Sequence, residues 1–235
     1  MSDVALSAGD VVFLSASVPD REPWTADARP SDIEEAIVSV ARAVFARGGR
    51  MLFGGHPSVS PLISSIAGGY FPADPERPFG ERPVVTFQSE FFKGVLPDET
   101  WALHRMGWSA IEWTPSVDGA REPSLLRMRR AMLGVPSFAE EAMARTGLRP
   151  ARAMVAIGGM EGIRDEANVL LSESPWPTPI YAFTSGGAAA RRLPLELPSV
   201  RAVEAEFRDD NAEWLPATLR FPPYAAMAQW LFDRL

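Results

Sequence analysis

Cysteine is absent from this chain, which excludes disulfides, thiolate metal sites and cysteine nucleophiles and leaves the redox compartment unread. Histidine is scarce. His56 and His104 are the only two, and without matched carboxylate spacing they predict no metal site. Lysine is reduced to Lys93, so nearly every cation is an arginine. Arginine forks suit phosphate, but the accompanying alanine and proline point mainly to a GC-rich genome. Positive charge is in overall deficit, at a formal net −7, whereas a general nucleic-acid binder needs a surplus. A local basic pocket for a small nucleotide stays open. Long apolar runs are missing too: none approaches the roughly 20 residues of a membrane helix. The first residues, MSDVALSAGDVVFLSAS, lack the basic start and long apolar segment of a signal peptide. The expectation is a cytoplasmic protein with no membrane and no nucleic-acid polymer as partner.

An apolar fraction of 46% over 235 residues supports one sizeable core. No repeat or composition break divides it, so residues 1–235 are expected to form a single domain. Val11 to Ala16 is a compact apolar run, read as a buried strand, and opens into small residues that include Ser17. Ser31 and Glu34 have the spacing of a capping box, followed by an apolar face from Ile33 to Phe45 that Gly48-Gly49 ends. Met51 to Phe53 is a second strand, leading into Gly54-Gly55-His56 and a helix that Ser60 and Pro61 should open. Further strands are expected at 83–88, 110–114, 152–157 and 179–183, with helices near 99–106, 124–133 and 137–145, the last capped by Ser137. Beyond a small-residue turn at 184–190 and its helix, a polar linker holds one short strand around 200–203. A C-terminal helix over 223–235 carries Met227, Trp230 and Leu231 on its apolar side.

Strands alternating with helices predict an α/β, Rossmann-like three-layer sandwich with a mainly parallel sheet. Ligands of such sheets sit beyond the carboxyl ends of the strands. Four of those ends carry small residues: Ser15 and Ser17, Gly54 and Gly55, Gly158 and Gly159, and Ser185, Gly186 and Gly187. The third is the most telling. In ARAMVAIGGMEGIRDEANVLL, residues 151–171, an apolar strand stops at a glycine pair and a helical spacing begins three residues later. The first turn of such a helix offers free N–H groups and the positive end of its dipole to an anion. The four turns together predict one pocket.

The stretches VFLSASVPDR (13–22), MLFGGHPSVSPLI (51–63), SLLRMRRAML (124–133), MVAIGGMEGIRDEANVL (154–170) and TSGGAA (184–189) resemble the SLOG superfamily. That group includes the Lonely guy phosphoribohydrolases and the DNA-processing protein A domain, and the likeness is greatest to the SLOG domains of bacterial conflict systems. The resemblance implies a sensor for a nucleotide-derived ligand such as an ADP-ribose-like signal, frequently dimeric and paired with a separate effector protein, and no resident cofactor. The hydrolases carry a PGGxGTxxE loop with an Arg-Lys pair upstream. Here Ile157 replaces the proline, Ile163 replaces the threonine, and Met160 and Glu161 put one extra residue before Gly162. Glu166 corresponds to the hydrolytic glutamate and Arg129-Arg130 to the basic pair. The alternative activity the resemblance implies is an N-glycosidase acting on nucleoside monophosphates or related nucleotides, with Glu166 and Arg129 catalytic.

Each residue also has a plainer role. The glycines suit any tight turn, and Glu161 and Glu166 can simply stabilise a helix start. His56 can be a packed turn histidine or a donor to phosphate; Arg129 can be a solvated cation or a bidentate phosphate clamp. Ser60 and Met160 enter the expected site by position alone.

Overall fold

The computed structural model describes residues 5–213, 215 and 221–235. Residues 1–4, at the start of the N-terminal stretch, and 214 and 216–220, in the linker before the last helix, lie outside the described residues. Seven strands form one sheet: β1 (Val11–Ser17), β2 (Arg50–Phe53), β3 (Val84–Ser89), β4 (Ser109–Thr114), β5 (Ala151–Gly158), β6 (Ile180–Phe183) and β7 (Val200–Ala202). Every pairing between them is parallel, in the order β4-β3-β2-β1-β5-β6-β7. The chain leaves β1 in one direction, to β2, and returns on its other side with β5. That reversal is the switch point of a Rossmann-like three-layer fold.

Alternation along β1 sets the layers. Val12 and Leu14 pack with α1 (Pro30–Ala46), α2 (Ser60–Tyr70) and α9 (Tyr224–Phe232). Val11 and Phe13 face α4 (Arg121–Met132), α6 (Glu161–Ser172) and α7 (Ala188–Glu196). Ser15 and Ser17 share the parity of Phe13, so a period of two places both hydroxyls on the α6 side. With both faces covered, the central strands are mainly apolar and almost wholly buried, as all-parallel sheets require, with Ser15 and Ser17 toward the carboxyl end of β1. The remaining helices are α3 (Asp98–Arg105), α5 (Pro136–Thr146) and α8 (Val203–Asp210), with short 3-10 turns at Phe79–Glu81 and Glu90–Phe92.

The helix starts differ from the sequence expectation. Neither Ser31 nor Ser137 caps a helix: Pro30 and Pro136 occupy the first helical position, and no side chain caps α1 or α5. Proline there has no N–H to satisfy and a preset φ, so each helix begins two residues earlier than a serine cap would place it. Ser60 likewise lies inside α2, its hydroxyl sharing a 2.7 Å hydrogen bond with Thr100. The expected linker contains α8, which buries only Val203 and Phe207, too short an apolar stripe to stand out in sequence.

Candidate functional site

A cleft of about 190 Å³ opens where β1 and β5 end. It lies at the switch point, where ligands of open parallel sheets bind. Ser15 and Ser17 supply its β1 wall, Gly54 and His56 the turn after β2, Met160 to Ile163 and Glu166 the start of α6, and Arg129 the last turn of α4.

Backbone geometry explains the glycines. Gly158 and Gly159 have φ of +60° and +73°, which L side chains rarely adopt. A Cβ on Gly159 would stand 2.1 Å from Ile163 Cδ1, and one on Gly162 would stand 2.8 Å from an Arg129 guanidinium nitrogen. The Gly159 N–H donates to Ser17 O at 2.7 Å, tying the turn to β1. The missing side chain of Gly162 is what lets Arg129 lie against α6.

Arg129 joins the carboxylates. Its Nη1 donates to Asp165 Oδ2 at 2.8 Å, and its Nε lies 3.7 Å from Glu166 Oε1, without a hydrogen-bond partner among the described residues. The Ser15 hydroxyl donates to the other oxygen of Glu166. Burial pushes the Glu166 carboxyl above its ordinary range, and the attraction of Arg129 and the Ser15 hydrogen bond only partly oppose it. Desolvation wins because water is almost excluded while the cation stands beyond hydrogen-bond contact.

Glu161 behaves oppositely. It sits in the first turn of α6, paired at 2.8 Å with Arg21, and both side chains are about half exposed. The Trp24 indole, its own backbone N–H and then Arg21 hold its carboxyl below the usual value. The chain's own carboxylate thus already stands at the anion-attracting helix start. His56 Nδ1 accepts the Ser58 N–H at 3.2 Å, which leaves the ring proton on Nε2. Burial lowers the His56 pKa, although Asp20 opposes it, and so favours the neutral ring. Ser58 Oγ also accepts the Val18 N–H at 3.0 Å, linking the turns after β1 and β2.

Not every expected residue gathers here. Gly55 borders the adjoining cavity over β3, and Ser60 is buried against Thr100. Ser185, Gly186 and Gly187 serve another purpose, so the turns do not all converge on one pocket. The Glu204 carboxylate accepts hydrogen bonds from the backbone N–H and hydroxyl of both Thr184 and Ser185. Gly186 packs on Ile33, and Gly187 lies under Asp27 O, where a Cβ would approach to 2.1 Å. That turn's donors are already matched by an internal anion. Glu204→Gln should cost about 1 kcal/mol in urea unfolding, because the amide accepts at one oxygen only, while ligand affinity at the cleft stays unchanged.

The sequence reading missed Arg21, Arg121, Leu125 and Met128, all of which line the cleft. Arg121, Leu125 and Met128 follow the i, i+4, i+7 spacing of one helix face, a signal hidden because α4 starts three residues before Ser124. Arg21 lies in an aperiodic loop that gave no signal. Among the described residues no group of three or more His, Cys, Asp or Glu could hold a metal ion, and no helix is long and apolar enough to cross a membrane.

Comparison with curated proteins returns no match. Among solved structures, the chain is similar to a molybdenum cofactor carrier protein from Chlamydomonas reinhardtii at 14% identity. That match covers 83% of this chain and 89% of the other, with a TM-score of 0.44. A model of the SLOG cluster3 family matches residues 24–211. The chain belongs to the SLOG cluster3 family.

Proposed function

We propose that the switch-point cleft binds a nucleotide-derived small molecule, of the ADP-ribose-like class, and that the protein is a sensor in a bacterial defence or stress system. One observation carries this reading: three separate segments, the end of β1, the turn after β2 and the start of α6, meet around Arg129 and two carboxylates. Arg129 suits phosphate oxygens. Glu161 suits ribose hydroxyls, since a carboxylate beside a phosphate would be repelled. The sensor acts as one domain, passes its signal to a separate effector protein, and sedimentation tests whether it pairs into a dimer. Titration calorimetry against a panel of AMP, ADP, NAD and ADP-ribose is the test. Saturable binding of at least one supports the reading, and no binding by any sinks it.

A second reading, an N-glycosidase, is favoured by Glu166 alone. A buried carboxyl with a raised pKa, hydrogen-bonded to Ser15 inside a cleft, has the properties of a general base for a water at a glycosidic carbon. The base must be ionised, so release of free adenine from AMP should rise as pH climbs through that raised value. Glu166→Gln should lower the rate by about 100-fold or more while AMP still binds. No turnover of AMP or of a broad panel of related nucleotides by the wild-type protein at any pH removes this reading.

A further inference from the structure

The cleft does not end at β1. A second cavity of about 280 Å³ extends over the ends of β2 and β3 and shares Gly54, His56, Arg121, Leu125 and Met128 with the first. The two are lobes of one groove with different chemistry. The first lobe holds Arg21, Arg129, Glu161 and Glu166. The second is walled by Phe92, Val95, Leu96 and Pro97; among the described residues it contains no carboxylate and adds only Gln88 as a polar side chain of its own.

We propose that the second lobe is a base subsite, which takes the planar heterocycle of a nucleotide whose sugar-phosphate lies in the first. This rests on the nucleotide reading above and adds where the base goes and which bases fit. A sugar phosphate alone would leave the apolar lobe wet, whereas a flat ring covers it and stacks on the half-buried Phe92. Gln88 sets the polar preference. Its amide nitrogen donates to Gly54 O at 2.5 Å, which fixes the amide so that its carbonyl oxygen serves as acceptor. Gly55 makes that arrangement possible: with φ +64° it lies against the amide, and a Cβ would come within 2.9 Å of Gln88 Nε2 and 2.7 Å of Thr86 Cγ2. That acceptor matches an exocyclic amino group, as on adenine, better than the carbonyl of hypoxanthine.

Calorimetry with AMP, IMP and ribose 5-phosphate tests this on the wild type, Val95→Asp and Phe92→Ala. AMP should bind about tenfold or more tightly than ribose 5-phosphate, the scale of one base–aromatic stack, and more tightly than IMP. Val95 is 74% exposed, so Val95→Asp should keep the wild-type melting temperature. Phe92→Ala should weaken AMP by about tenfold, Val95→Asp should weaken it measurably by placing a charge in the apolar lobe, and both should leave ribose 5-phosphate unchanged. Equal binding of AMP and ribose 5-phosphate, or equal weakening of both by Val95→Asp, overturns the base subsite but spares the sugar-phosphate site. Equal binding of AMP and IMP overturns the role of Gln88. No binding of ribose 5-phosphate, AMP, ADP, NAD or ADP-ribose overturns the nucleotide reading itself.

Discussion

Arg129→Met should abolish ligand binding and destabilise the protein in a pH-dependent way. Arg129 and Glu166 are both nearly buried, with side chains only 12% and 14% exposed. Removing one member of a fully buried pair costs ~3–5 kcal/mol, because the other charge is left behind. Here Nε and Oε1 are 3.7 Å apart and Ser15 also supports the carboxylate, so a loss of about 2 kcal/mol at pH 8 is expected. The sign with pH follows from Glu166. Its folded pKa is raised by burial, so its own contribution favours folding most below the ordinary carboxyl range and is lost as pH rises through the raised value. Without Arg129 that value rises further. The deficit of Arg129→Met is therefore largest at high pH and shrinks as Glu166 takes up a proton. Adding Glu166→Gln should recover most of the stability at pH 8, since no buried charge then lacks its partner, but should not restore binding. Urea unfolding of the two single variants and the double variant at pH 5 and pH 8 measures this as a cycle. A deficit independent of pH would show that Arg129 acts through Asp165 instead.

Gly159→Ala is the second large effect. The residue sits at φ +73°, and the new methyl would lie 2.1 Å from Ile163 Cδ1 and 2.5 Å from its Cγ1. Ile163 is itself only 4% exposed and forms part of the cleft wall. The backbone strain and the overpacking add to about 2–4 kcal/mol. Relief by turning the Ile163 side chain or by shifting the first turn of α6 reshapes the cleft wall either way, so affinity should fall by about tenfold, the equivalent of 1.4 kcal/mol. Gly69→Ala is the control, because a Cβ there meets nothing within 4 Å. Alanine in that last turn of α2 should be neutral or slightly stabilising. Unchanged thermal stability of Gly159→Ala would show that Ile163 can repack without moving the helix.

Much of the fold was readable because its signals are local. Each central strand, four to eight residues long, is built on a short apolar run, and the helices between them show periodic faces such as Ile33 to Phe45. Strand, turn, helix, strand in alternation leaves few topologies other than a parallel sheet. The misplaced starts of α1, α2 and α5 have one cause. A serine next to a proline reads as a cap, but the pair can be threaded into the first turn in two registers, and packing chooses between them.

The site was only partly legible. Glycine turns mark where a backbone bends tightly, not what fills the space beside it. The IGGMEG and GGH turns both reach the cleft, whereas the TSGG turn, similar in sequence, is filled by Glu204, twenty residues away from Thr184. No spacing rule connects those two positions. The extra residue between Gly159 and Gly162 was visible in the sequence. Its consequence was not: Glu161 enters the first turn of α6 and meets Arg21 from a loop 140 residues earlier.

By itself, then, the sequence determined the α/β class, the strand ends that carry tight turns and the family, since these depend on local pattern and on motifs. Tertiary structure decided which turns share a cleft, the pairing of Arg129 and Ser15 with Glu166, and the apolar lobe between Gly54 and Phe92. Those are contacts between segments far apart in the chain. Their geometry is set by the order of strands in the sheet, and their energetics by a burial that no single segment has alone.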